Sequence, residues 1–162
     1  MIHPQNIRQA ANQHKKELRE LIKKLKRNDK RLLDDKVHRL HYQIFDSYNC
    51  TACANCCRSL GPKLTNKDIA RLADYLKITD SAFFQKYVVE DEDGDFVFRE
   101  MPCVFLQSDN LCAVYDIRPK ACREYPHTDK TNFHQILDLS LLNAEICPAV
   151  YEIFVILQKN NS

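Results

Sequence analysis

Four cysteines fall within eight residues, in the run Cys50-Thr51-Ala52-Cys53-Ala54-Asn55-Cys56-Cys57, and this crowding constrains the chain more than any other feature. A hydrophobic core is built more readily from Leu, Ile or Val. Thiolates two residues apart can instead turn their sulfurs toward one soft cation, as zinc or an iron-sulfur cluster requires. The other four cysteines, Cys103, Cys112, Cys122 and Cys147, are dispersed downstream. Eight thiolates suffice for two four-ligand sites, or for one site plus redox-active or structural thiols.

The rest of the chain bears on where such thiols would be kept. At 162 residues it can bury a real core without disulfides. The first 13 residues are polar and basic residues follow, so no signal-peptide pattern is present, and the longest apolar stretch, Val150 to Leu157, is broken by Glu152. A cytoplasmic location without a membrane span is therefore expected, where clustered thiols bind metal more often than they form disulfides.

Charge is uneven. Residues 1–47 hold 12 Lys and Arg against 6 Asp and Glu, leaving 12 against 16 for the remainder. An arm contacting nucleic acid or an acidic partner is one reading. A solvated helix face is the reading preferred, because Glu17, Glu20, Asp29, Asp34 and Asp35 interleave with the cations and no aromatics accompany them.

Leu18, Leu21, Ile22 and Leu25 follow helical spacing, as do Leu33, Val37, Leu40 and Ile44, with Asn28-Asp29 suited to cap a second helix. A helical pair, or one long bent helix, is expected over about residues 5–46. Its apolar stripe must pack on the cysteine domain or on another copy of itself, so self-association or a protein partner is one expectation. His38 and His41, near its end, are read as packing or surface histidines.

Beyond the cysteine run, Thr65 to Asp68 resembles a capping box, and Ile69, Leu72, Ala73 and Leu76 mark a helix face. A short helix is expected over Ser81 to Val88. Asp91 to Asp95 places Gly94 fourth, not sixth as an EF-hand loop requires, and is read as an acidic turn. Phe96–Phe98, Cys103–Leu106 and Leu111–Tyr115 read as short strands of a small sheet or irregular hairpin carrying Cys103 and Cys112. Pro119 suits a helix start ahead of Cys122, and Cys147-Pro148 suits the start of a terminal helix striped by Val150, Ile153, Phe154 and Leu157. With two glycines in the chain, no phosphate-cradling loop is available.

The expected fold is α+β and mainly helical, with a small antiparallel sheet. The expected division is a basic helical extension over 1–47 and a cysteine-cluster domain over 48–162.

Ligand geometry limits the pairing. Tetrahedral zinc with Zn–S bonds of about 2.3 Å sets its sulfurs about 3.8 Å apart, which loops with two intervening residues close well. Neighbouring side chains of an extended segment point to opposite faces, so Cys56 and Cys57 would serve different metals, or only one would be a ligand. A 4Fe-4S cluster is more forgiving, and the spacing of Cys50, Cys53 and Cys56 equals the first three ligands of a bacterial ferredoxin run. One partition joins these three with a distant cysteine and leaves Cys57 with the other three. Arg58, Arg118 and Arg123 are placed to offset the negative charge of a thiolate centre. His127 and His134 could each serve as a fourth ligand. The sequence displays no separate acid-base or nucleophilic constellation; Tyr115, Asp116 and Tyr125 come nearest to one and are read as core hydroxyls and turn residues.

Cys50 to Cys57, with the block Cys112-Ala113-Val114-Tyr115-Asp116-Ile117-Arg118-Pro119-Lys120-Ala121-Cys122-Arg123-Glu124-Tyr125-Pro126 and the preceding Cys103-Val104-Phe105-Leu106, resembles the CxxCxxCC cysteine-cluster family over roughly residues 48–148. The resemblance implies zinc or iron chelation, at one or two centres, in a largely uncharacterised bacterial family. A related cysteine cluster occurs in flagellin lysine N-methylases, which makes methyl transfer an alternative to a structural metal. Such a cluster would also suit an iron-sulfur redox protein or a zinc-knuckle nucleic-acid module.

Overall fold

The computed structural model describes residues 1–160, and the chain forms two compact units: residues 1–49 with the segment from Pro126 onward, and Cys50–Tyr125. In chain order the helices are α1 (Ile7–Gln13), α2 (Lys15–Leu25), α3 (Lys30–Phe45), α4 (Cys50–Cys53), α5 (Asn55–Ser59), α6 (Asn66–Tyr75), α7 (Asp80–Tyr87), α8 (Lys120–Glu124), α9 (Leu137–Ala144) and α10 (Pro148–Lys159). Strands β1 (Val88–Glu90) and β2 (Phe96–Phe98) pair antiparallel, with Val88 opposite Phe98. The fold is α+β and mainly helical, as expected.

In the first unit, the spaced apolar residues become one core. Leu18, Leu21, Ile22 and Leu25 of α2 are buried, as are Leu33, Val37, Leu40 and Ile44 of α3. Their partners are α9 and α10, where Val150, Ile153, Phe154 and Leu157 are wholly excluded from solvent. Each such side chain contributes roughly 1.5–3 kcal/mol. Asp29 starts α3 by accepting from the N–H groups of Arg31 and Leu32, both at 3.0 Å. At the surface Lys15 pairs with Glu145 at 2.9 Å and Lys26 with Asp138 at 2.7 Å, while Asp34 accepts from the N–H groups of Asn132 and Phe133.

This arrangement differs from the division read from the sequence, which assigned everything after residue 47 to the cysteine domain. Residues from Pro126 onward pack with the N-terminal helices instead. The stripe of α2 finds its cover on the C-terminal helices of its own chain. Hydrophobic burial is indifferent to sequence separation, so a pattern of apolar residues cannot name its partner. Among the described residues no single helix is long and apolar enough to cross a membrane.

In the second unit Leu64, Ile69, Leu72, Ala73, Phe83, Val88, Phe98, Phe105 and Val114 form the core, with Cys103 and Cys112 packed against it. Thr65 caps α6 in the expected box: its side chain accepts from Asp68 N–H, and Asp68 accepts in return. Asp91 closes the acidic turn between the strands by accepting from the N–H groups of Asp93 and Asp95, with Gly94 at φ +79°.

The expected sheet is only partly present. Phe96–Phe98 is a strand, but its partner is β1, and Cys103–Tyr115 is an irregular loop with a single bridge between Leu106 and Cys112. Gln107 N–H to Leu111 O at 2.8 Å and Ala113 N–H to Phe105 O at 2.9 Å hold the loop, and Asn110 at φ +71° tightens its tip. Pro102 has no N–H to offer a ladder, and three-residue segments gain too few bonds to extend one.

Candidate metal centre

The second unit brings together seven of the eight cysteines: Cys50, Cys53, Cys56, Cys57, Cys103, Cys112 and Cys122. Cys147 lies in the first unit, buried at the N-cap of α10. No disulfide joins any of the eight.

The cysteine run is helical, not extended. Cys50 and Cys53 end the one-turn α4, Ala54 reverses the chain at φ +50°, and α5 then carries Cys56 and Cys57. Successive residues on a helix are about 100° apart, not on opposite faces. The sulfurs of Cys56 and Cys57 accordingly lie 3.9 Å apart. The premise that adjacent cysteines must diverge is thereby corrected, because it holds only for extended backbone. The separation is close to the sulfur spacing of a tetrahedral thiolate site.

Two clamps hold this run to the downstream loop. The N–H of Cys103 donates to the carbonyl of Cys57 at 2.8 Å. Arg58 donates to the Cys53 carbonyl at 3.0 Å and to the side-chain oxygen of Asn110, whose amide reaches the Ala52 carbonyl at 3.3 Å. Segments some fifty residues apart in sequence therefore meet around Cys57.

The electrostatics make Cys57 the centre of the group. A hydrogen bond from the Cys56 thiol lowers the Cys57 pKa to about 6, against the opposing effect of burial and with help from the charges of Arg118 and Arg58. Burial pushes Cys50, Cys103 and Cys112 up and Cys122 up to about 12, and the charge of Cys57 raises all four further. Arg118 pulls Cys50, Cys112 and Cys122 the other way. Its guanidinium lies 3.6 Å from the ring centre of Tyr115, and its Nε donates to the Tyr115 carbonyl at 2.8 Å. Arg123 donates to the Arg118 carbonyl.

The histidines sit elsewhere. His38, His41, His127 and His134 all belong to the first unit. There His41 Nδ1 lies 2.7 Å from Thr128 Oγ1 with its ring stacked on Phe45, and His38 Nε2 lies 2.9 Å from the Lys130 carbonyl. Among the described residues, no three His, Cys, Asp or Glu side chains already form a converged ligand set. The donor chemistry nevertheless fits a soft cation: seven thiols in one small unit, with Arg118 and Arg58 acting on their charge.

Three residues that organise the site were not read as site residues in the sequence. Asn110 ties the loop tip to α4 and Arg58. Asp68 and Arg71 hold the segment leading to Cys122, Asp68 accepting from Lys120 N–H at 3.0 Å and Arg71 donating to the carbonyls of Ile117 and Arg118. The capping box pointed at Asp68 only as a helix start.

A small helical unit in which thiols gather from both ends of a 76-residue segment defines a cysteine-cluster protein of the metal-chelating class. The chain belongs to the CxxCxxCC family, described as "Putative zinc- or iron-chelating domain", whose model matches residues 49–140. It is also 33% identical over 85 residues to an uncharacterised protein of Methanocaldococcus jannaschii, a stretch covering 51% of this chain and 46% of that one. The chain thus spans less than half the length of that relative. No solved structure matches the chain.

Proposed function

We propose that the chain holds its metal through a four-thiolate centre made by Cys57, Cys103, Cys112 and Cys122, and that this centre has a structural or interaction-mediating role. The single observation that carries the reading is the backbone hydrogen bond from the Cys103 N–H to the Cys57 carbonyl at 2.8 Å, in the unit that also holds Cys112 and Cys122. Four thiolates complete the shell of a zinc ion, and a closed shell leaves no open position for substrate. A metal bound there would cross-link α5, the loop and α8. Arg118 and Arg58 offset the excess negative charge of the thiolates.

Cys50, Cys53 and Cys56 remain as donors, with the Cys56 sulfur 3.9 Å from that of Cys57 where the two sets adjoin. With a further donor they would supply a second centre. Their spacing suits an iron-sulfur cluster.

The test is anaerobic purification followed by an absorption spectrum and elemental analysis for zinc, iron and labile sulfide. Metal is then counted per chain in all eight single Cys→Ser variants, Cys147 included. A colourless protein that loses the same zinc in the Cys57, Cys103, Cys112 and Cys122 variants supports the proposal. A brown protein with iron and sulfide favours an iron-sulfur redox or methylase-like role. Loss of one metal equally on changing Cys53 or Cys57 would overturn the partition.

A further inference from the structure

Asp68 is 1% exposed, and its carboxylate is saturated by donors from two distant parts of the second unit. One oxygen accepts from the Thr65 N–H at 3.0 Å and the Thr65 hydroxyl at 2.7 Å. The other accepts from Arg71 Nη2 at 2.5 Å and from the Lys120 N–H at 3.0 Å. Arg71 extends the same network: Nε donates to the Ile117 carbonyl at 3.1 Å and Nη2 to the Arg118 carbonyl at 2.9 Å. The pair on α6 therefore grips the backbone from Ile117 to Lys120, which carries Arg118 and opens α8 two residues before Cys122.

Capping α6 needs only the Thr65 bonds. The contacts to Ile117, Arg118 and Lys120 contribute nothing to that helix, and they require a planar fork directed at two successive carbonyls, which lysine cannot reproduce. We propose that Arg71, oriented by Asp68, is a positioning residue of the cysteine site, setting the placement of the Arg118 guanidinium and of Cys122. The inference rests on the metal-binding reading above. Groups that orient ligands from outside the coordination shell typically change metal affinity by 10–100-fold, so an effect well above measurement error is expected.

The test is titration of the reduced, metal-free full-length protein with Co²⁺, following the thiolate-to-cobalt and ligand-field absorption bands, with Zn²⁺ competition for affinity. Arg71→Lys should weaken Co²⁺ binding about tenfold or more and alter the ligand-field bands while the helical circular dichroism is retained. Arg118→Gln should weaken it too, and the effects should be less than additive in the double variant, since Arg71 acts partly through Arg118. If Arg71→Lys lowers thermal stability but leaves Co²⁺ affinity and spectrum unchanged, the pair is purely structural and the proposal fails. Should Arg71→Lys not fold, Thr65→Val removes one donor from Asp68 and should shift affinity in the same direction by a smaller factor; no shift overturns the proposal. A wild-type chain that takes up neither Co²⁺ nor Zn²⁺ would instead overturn the metal-binding reading, and this inference with it.

Discussion

The backbone N–H of Cys103 donates to the carbonyl of Cys57 across 2.8 Å, so two cysteines 46 positions apart share a main-chain hydrogen bond. This bond joins α5 to the loop that follows β2. It also places Cys57 where its charge is felt by Cys103, Cys112 and Cys122.

Cys57 should be the most reactive thiol of the metal-free protein at neutral pH. Its pKa of about 6 makes it mainly thiolate at pH 7, whereas Cys122, pushed up to about 12, stays protonated. Iodoacetamide labelling mapped by peptide mass should modify Cys57 first, with a rate that falls as pH drops through about 6. Equal labelling of Cys122 would contradict this.

Metal uptake should release protons. Of the four proposed ligands, Cys103, Cys112 and Cys122 are raised and must lose a proton to bind, while Cys57 is already ionised. About three protons per metal are expected at pH 7, and affinity should fall as the solution is acidified. Calorimetric titration of Zn²⁺ in buffers of different ionisation enthalpy gives the count.

The second unit should lose stability at low pH through Asp68. Burial opposes its charge, but the hydrogen bonds from Thr65, Arg71 and Lys120 outweigh this and hold its pKa below the usual value. A depressed carboxylate contributes stability that is fully present above the unfolded pKa of about 3.9 and is lost as pH falls through the folded value. Asp68→Ala should cost about 3 kcal/mol at pH 7, because Arg71 and the Lys120 N–H lose their partner, and Thr65→Ala about 1 kcal/mol. Urea unfolding of the metal-free protein at pH 7 and pH 3 measures both.

Phe83→Ala should cost about 3–5 kcal/mol, since the ring is wholly buried and packs on Tyr87 at 5.0 Å between centroids. Leu142→Ala, at a residue 59% exposed, should change stability by less than about 0.5 kcal/mol. Denaturant midpoints of the two variants compare the core with the surface directly.

Stripping the metal should lower the thermal midpoint. Thiolate ligands drawn from α5, the loop and α8 would tie together segments that otherwise meet through only a few hydrogen bonds. A chelator that removes metal and leaves the melting curve unchanged would sink this coupling.

Local features were legible in the residues because they depend on near neighbours. Asp29 capping α3, the Thr65–Asp68 box, the turn at Asp91 and the start of α10 at Cys147-Pro148 each follow from a few adjacent side chains. The same holds for the buried stripes of α2, α3 and α10. The cysteine run was less readable. Whether Cys56 and Cys57 diverge depends on backbone conformation, and the left-handed turn at Ala54 carries no glycine to announce it.

The sequence alone determined the chemistry available: eight thiols, four of them crowded, in a mainly helical α+β chain of the CxxCxxCC family. Side-chain identity and short spacings are sufficient for that. Only the tertiary structure decided which thiols share a unit, that Cys147 lies with the N-terminal helices, and that Asp68, Arg71 and Asn110 hold the segments around Cys57. Those outcomes rest on burial and hydrogen bonds between segments remote in sequence, and no local spacing encodes which remote segment will meet which.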